Sequence, residues 1–267
     1  MRSSHPIGRT VCGAVLLVST AFVTSGRPDQ EARRAGGPWD PESGLGNHRA
    51  VVRVETASAP AIVRAVISWR RRDFDPEKKD LIVVDATTGA RIKNILALAV
   101  NREIGDIVFE PQTIPGEYYV YYMPFKSEGR KNYPNVKYDP PAVTADPAWI
   151  KATGISPDKL VSRSADAFPR ARVVEIQSAD EFSAFTPMER IATAAETAAL
   201  LAAHPGAPYL IFPEDRSLSV RMKDDIPWRW AATGPSGDVS GEAARGEFFT
   251  FQIGVWAARQ PISDLEV

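Results

Sequence analysis

The chain has a single cysteine, Cys12, and three histidines in 267 residues. Cys12 and His5 both fall in an N-terminal segment that reads as removable, so the mature chain is expected to have no disulfide, no thiolate nucleophile and no cysteine-ligated metal. His48 and His204 remain, and neither has a second His or a paired carboxylate at ligand spacing, so no metal site is expected. His204 reads instead as a helix C-terminal residue meeting the negative end of the dipole. The Gly-x-Ser-x-Gly elbow of serine hydrolases is missing, and residues 234–241 do not match it. Glycine-rich phosphate loops are missing too, and no cofactor is expected. Neither sign of charge dominates. With 32 basic and 33 acidic residues the formal net charge is −1, which gives no electrostatic reason to expect nucleic acid or an anionic membrane as partner. No internal repeat is evident.

What is present is an ordinary globular composition, 44% hydrophobic and 24% charged, long enough to bury a core without crosslinks. Residues 1–10 carry Arg2 and Arg9 and no acid, residues 11–23 are apolar, and the small residues Thr24, Ser25 and Gly26 precede a polar stretch. This is the three-part pattern of a signal peptide over 1–26, cleaved near Gly26. The apolar run falls short of the roughly 20 residues that span a bilayer, so no membrane association beyond the signal is expected. The mature protein is then secreted or periplasmic, and export without disulfides suits a bacterial periplasm or exterior. Residues 27–46, rich in Gly, Pro and charge, read as a mobile linker.

From residue 47 the signals are those of strands. Val52 and Val54 alternate with Arg53 and Glu55, and Val63, Ala65, Ile67 and Trp69 share one side of residues 62–69. The charged residues 70–79 read as a solvated loop, with Arg70, Arg71 and Arg72 compensated by Asp73 and Asp75. Residues 81–84 are apolar on both faces, Thr88 and Gly89 turn into 92–100, and 107–109 follows. Pro115 and Gly116 turn into 118–123, where Tyr118, Val120 and Tyr122 oppose Tyr119, Tyr121 and Met123. Short strands punctuated by Gly and Pro predict a mainly β fold, an antiparallel β-sandwich over 47–267, with a helical segment inserted near 142–206.

Residues 126–141 read as a long loop ahead of that insertion, and within it 145–153 reads as a short helix around Trp149, before a return to strand over 172–176. Thr186, Pro187 and Glu189 make a capping box for a helix whose stripe is Met188, Ile191, Ala195, Ala198 and Ala202 and which ends at His204-Pro205-Gly206. Strands are expected at 209–212 and 217–222, an aromatic segment at 227–230 and a Gly/Ser turn at 233–241. The closing stretch alternates from Phe249, with Phe249, Phe251, Ile253, Val255 and Ala257 on the side assigned to a core. Leu265 to Val267 reads as a further strand beginning, so the chain is expected to be the front portion of something longer.

Two acidic pairs, Glu214-Asp215 and Asp224-Asp225, bear the residue type used by glycosidases. Adjacent residues on an extended chain face opposite ways, however, and Arg216 and Lys223 stand beside them, so both pairs read as salt-bridged loops. Aromatic rings offer the apolar face and polar edge that a sugar presents. Trp69, Trp228, Trp230, Trp256 and the tyrosines of 118–122 are the candidates, and alternation sends about half of them inward. Trp228 and Trp230 with Glu214, Asp215 and Arg216 are the best-placed group for a glycan, because aromatic planes and charged hydrogen-bonding groups lie close together there.

Several of these segments carry a family likeness. Asn101-Arg102-Glu103, residues 105–109, residues 116–124, Pro187-Met188-Glu189, residues 212–216 and residues 246–255 resemble the N-terminal region of glycoside hydrolase family 123 and its relatives, from about Val63 to Val267. That family is similar to retaining β-N-acetylgalactosaminidases in which the substrate's acetamido group attacks and an Asp-Glu pair assists. The resemblance implies an N-terminal β-sandwich followed by a (β/α) barrel that carries the pair, so no catalytic residue transfers to this chain. It implies a role supporting the barrel and extending a glycan cleft, and an exposed apolar face along residues 249–256 where the barrel packs. The alternatives are a free-standing carbohydrate-binding module and a structural envelope module, without hydrolase activity.

Overall fold

Alternation along β2 (His48–Val54) builds the principal core: Ala50, Val52 and Val54 turn inward and are fully buried. The computed structural model describes residues 33–56, 61–130, 133–155 and 167–263, so the expected signal peptide and residues 264–267 lie outside the described residues. β2 is the middle of a five-stranded sheet with β1 (Arg33–Gly36), β10 (Arg172–Ser178), β7 (Gly116–Tyr122) and β4 (Leu81–Asp85), in the order β1-β10-β2-β7-β4. β1 runs parallel to β10 and the other neighbours are antiparallel. The linker expected over 27–46 therefore ends sooner. Arg33–Gly36 has no hydrophobic alternation and joins the sheet by backbone pairing, which residue patterning does not register.

A second sheet has the order β3-β6-β5, from β3 (Val63–Ile67), β6 (Gly105–Phe109) and β5 (Ile95–Val100), all antiparallel. Between the sheets lie Val63, Ala65, Ile67, Ile107 and Phe109 on one side and Ala50, Val52, Val83, Tyr118, Val120 and Tyr122 on the other, one shared apolar core. This is the predicted sandwich, and the fold is mainly β. Helix α1 (Pro147–Thr153) covers the outer face of the smaller sheet, placing Trp149 with Val108 and Ile62. Its start follows from Asp146, which accepts from Ala148 N–H, and its end from Gly154 in the left-handed conformation. The loop expected over 126–141 is instead a hairpin of β8 (Phe125–Arg130) and β9 (Tyr133–Tyr138). It stands off the core, so neither face needs apolar alternation.

A second, smaller core gathers Met188, Leu200, Leu210, Phe212, Ile226 and Trp230. It belongs to α2 (Ala194–Ala203), α3 (Trp228–Thr233) and a two-stranded sheet of β11 (Leu210–Asp215) and β12 (Phe251–Trp256). The sequence placed the helix start at Thr186. The capping box that forms is Thr193 with Glu196, the hydroxyl and carboxylate each accepting from the other residue's backbone N–H. Residues 191 and 192 are held extended: Ile191 N–H donates to Arg70 C=O and Ala192 N–H to Ile226 C=O. Those tertiary bonds delay the helix. The strand expected over 217–222 is irregular, anchored where Gln252 Oε1 accepts from Val220 N–H at 3.0 Å. The aromatic segment at 227–230 is the start of α3.

Ion pairs join this smaller core to the sandwich. Arg70 grips Glu196 through two bonds of 2.7 and 2.8 Å, and Arg102 grips Asp225 from the loop between β5 and β6. Ala194 N–H, at the first turn of α2, donates to the Glu103 carboxylate at 2.7 Å.

Candidate functional site

The five residues singled out for glycan contact lie around β11 and α3. Strand pairing sends Leu210, Phe212 and Glu214 to the smaller core, opposite Trp256, Gly254 and Gln252. A carboxylate buried there must be compensated, and Glu214, 5% exposed, is. Arg229 Nε donates to both of its oxygens at 3.0 Å, and Trp230 Nε1 donates to Oε1 at 3.0 Å. Trp230 in turn lies flat on Phe212, centroids 4.4 Å apart and planes within 2°. Glu214 and Trp230 are thus brought together, but inside the core, with the indole covered by Phe212 on one side and committed to Glu214 at its edge. That corrects the expectation for these two: their faces are not available to a sugar ring.

Asp215, one residue on, faces the other way. Its Oδ1 accepts from Ser217 N–H at 2.8 Å, and the Ser217 backbone and hydroxyl, with Arg216 nearby, hold the carboxyl below the usual range. Arg216 is exposed and pairs with Glu247 at 2.6 Å. Trp228 is elsewhere again: Arg190 sits over its ring at 4.3 Å and Arg70 at 5.9 Å. The five residues occupy three separate places. Asp225, of the second acidic pair, is bound to Arg102. Of the four carboxylates, Glu214 and Asp225 stand in ion pairs, with Arg229 and Arg102 rather than with the neighbouring Arg216 and Lys223. The solvated-loop reading of residues 70–72 fails at Arg71, which is fully buried, because Trp69 and Tyr122 enclose it.

One surface emerges that the periodicity assigned to the wrong side. On β12 the residues turned to the core are Gln252, Gly254 and Trp256, whereas Phe251 and Ile253 are 45% and 49% exposed. The outer face pairs Ile211 with Val255, Pro213 with Ile253, and Asp215 with Phe251, and Tyr209 and Phe248 are exposed nearby in the chain. The signal for this inversion lies in Gly254: a strand face carrying glycine can receive a flat indole, and Trp230 takes that place. Along residues 249–256 the exposed large apolar side chains are Phe251 and Ile253.

Among the described residues, no three His, Cys, Asp or Glu side chains gather as a metal site requires, and no helix is long and apolar enough to cross a membrane. Residues 37–179, more than half of the chain, match the family model described as Glycoside hydrolase 123, N-terminal domain. The match takes in the sandwich from the residue after β1 to the end of β10. No curated protein and no solved structure gives a match.

Proposed function

Because the chain belongs to the glycoside hydrolase 123 N-terminal domain family, we propose that it is the non-catalytic β-sandwich portion of a secreted hydrolase acting on N-acetylhexosamine-containing glycans. In this reading the hydrolytic Asp-Glu pair lies on a (β/α) barrel outside the present chain, and the sandwich supports that barrel and borders its glycan cleft. The observation that carries the reading is the outer face of β11 and β12, where Phe251 and Ile253 stand in solvent beside Pro213 and Val255. A contiguous apolar sheet face suits a partner that covers it. The engaged state of Glu214, Asp215 and Asp225 supports a non-catalytic role, since each is held by a cation or a backbone donor. Export rests on the N-terminal pattern and gives a mature protein beginning near Arg27 in the periplasm or medium.

Reading the coding sequence on from Val267 is the test. An open frame that continues into a barrel with an adjacent Asp-Glu pair supports the proposal. A stop codon there overturns the enzyme reading for this polypeptide and leaves a free-standing carbohydrate-binding or envelope module. Hydrolysis of an aryl N-acetyl-β-galactosaminide by the purified chain would overturn the non-catalytic role.

A further inference from the structure

Among the described residues, every sheet edge but one is guarded. β1 is four residues long and carries Arg33 and Arg34. β3 is bonded from outside, Arg64 N–H to Pro169 C=O and Ala171 N–H to Arg64 C=O, and β4 likewise, with Ala90 and Ile92. β5 has a bulge between Ala97 and Ala99, a device that turns an edge away. The β8–β9 hairpin bears Lys126, Arg130 and Lys137. β11 has Pro213, and its Ile211 C=O accepts from Ser236 N–H at 3.0 Å.

That last bond fixes the direction of the backbone groups in the ribbon. Ile211, Pro213 and Asp215 turn theirs away from β12, so the residues opposite them, Val255, Ile253 and Phe251, turn theirs away from β11. The N–H and C=O groups of these three residues line the other edge of β12, and no described residue pairs with them. From Phe248 to Ala258 there is neither a charge nor a proline to discourage pairing. A ribbon of two strands is also the smallest of sheets and gains by extension.

We propose that a second copy of this chain occupies that edge, β12 pairing antiparallel with the partner's β12 about a two-fold axis through Ile253. Such a contact requires a strand complementary to itself. Here Ile253 exchanges both backbone bonds with the partner's Ile253, and Phe251 faces the partner's Val255, an aromatic against a β-branched residue. Charge agrees with the same register. Glu247 and Arg259, both exposed, stand six residues before and six after Ile253, so the acidic approach of each strand meets the basic exit of the other. Both are held in place, Glu247 by Arg216 at 2.6 Å and Arg259 by the Leu201 and His204 carbonyls at 2.9 and 3.2 Å. The two ribbons become one four-stranded sheet. The contact uses the edge of β12, so it is separate from the barrel proposed for the outer face and leaves that face open.

Sedimentation equilibrium of the mature chain over a concentration series, with a cysteine crosslink beside it, is the test. Wild type should show a monomer–dimer equilibrium. Ile253→Pro removes the N–H at the axis, which β11 does not use, and should raise the dimer dissociation constant by about tenfold or more for the two bonds lost. The chain from Arg27 onward contains no cysteine, so Ile253→Cys introduces a single one per copy. Opposed Cα atoms in a hydrogen-bonded pair lie about 5.5 Å apart, within reach of a disulfide. Mild oxidation should therefore link Ile253→Cys into dimers, whereas Val239→Cys, 41% exposed in wild type, should stay monomeric. If Ile253→Pro does not fold, the two cysteine variants decide. A monomer at every concentration, a dimer unchanged by Ile253→Pro, or equal crosslinking at residues 253 and 239 overturns the proposal.

Discussion

Gly254 lies directly beneath Trp230: a Cβ built on the glycine would come within 2.2 Å of the indole Cζ2. The glycine is not there for its backbone freedom, since its φ is not positive. It is there for space, and the indole it admits closes the smaller core. Gly254→Ala should therefore destabilise the part around β11, β12 and α3 by about 1–3 kcal/mol, the usual range for an overpacked site. Denaturant unfolding followed by tryptophan fluorescence measures it. Gly237→Ala is the control, because nothing lies within 4 Å of a Cβ at that position.

Trp228 and Trp230 stand two residues apart and should respond differently to truncation. Trp230→Ala removes a buried ring, about 3–5 kcal/mol for a large aromatic. It also takes one donor from the buried Glu214 carboxylate. Trp228→Ala loses a half-buried ring and its contact with Arg190, on the order of 1–2 kcal/mol with the cation contributing a part. Melting temperatures of the two variants settle the order. A Trp230→Ala protein with wild-type stability would show that the stack on Phe212 is not what holds this core.

His48 should make the protein acid-sensitive above the range where carboxylates titrate. Burial is the main cause of its low pKa, about 4, and the Arg71 and Arg34 charges push the same way, against Asp73 and a backbone hydrogen bond to Ser183. Unfolded, the ring binds its proton near pH 6.5. Between pH 6.5 and 4 the unfolded chain therefore holds a proton that the folded chain refuses, and stability falls as pH falls through that window. The full difference is about 3 kcal/mol at one proton. Urea unfolding of wild type and His48→Phe from pH 7.5 to 4.5 checks the sign: the wild-type curve should drop and the variant curve should be flatter by one proton. Parallel curves would mean that His48 titrates normally in the fold.

The Glu196 carboxyl gives the complementary case. Burial pushes it up, but the Arg70 guanidinium and the Thr193 amide and hydroxyl outweigh burial and hold it below the usual range. Its contribution is present above the unfolded value near 4.3 and is lost as pH falls through the lower folded one. Because the carboxylate is partly exposed, Glu196→Gln should cost little at pH 7, about 1 kcal/mol. The loss should show as faster hydrogen exchange at the first turn of α2 rather than as global unfolding.

How far the residues announce this structure depends on whether local pattern or distant pairing decides each element. β2, β3, β6 and β7 face water on neither side uniformly but send alternate residues into one core, and their alternation in the sequence is plain. α1 was legible as a short helix around Trp149. The capping box was read at Thr186 to Glu189 but forms at Thr193 to Glu196, because Ile191 and Ala192 donate their N–H groups to the Arg70 and Ile226 carbonyls and delay the helix. No local signal carries that choice. β1 and the β8–β9 hairpin escaped because their pairing is by backbone, without an apolar face. The glycan candidates do not form one group for a related reason: closeness in sequence put Trp230 and Asp215 together, whereas helix and strand geometry turned one inward and the other out. Arg71 escaped because three consecutive arginines read as solvent-facing, and only the fold encloses the middle one.

The inverted face of β12 yields the sharpest contrast between folding and association. Phe251 and Ile253 touch the smaller core with neither side chain, so replacing them should leave the folded state nearly unchanged. Phe251→Thr with Ile253→Thr places a β-branched residue at both positions of the strand, and the cost should stay within about 1 kcal/mol, the span of strand preference. Association should change much more. A covered apolar face contributes roughly 25 cal/mol per Å² removed from water, and a hydroxyl there loses most of that. If a catalytic barrel packs on this face, the double variant should weaken binding to a separately produced barrel by about a hundredfold, near the loss of two anchoring side chains at about 1–2 kcal/mol each. Analytical ultracentrifugation of the two polypeptides reads it. Equal affinity with wild type and variant would move the interface off β11 and β12, and with it the observation on which the proposed role rests.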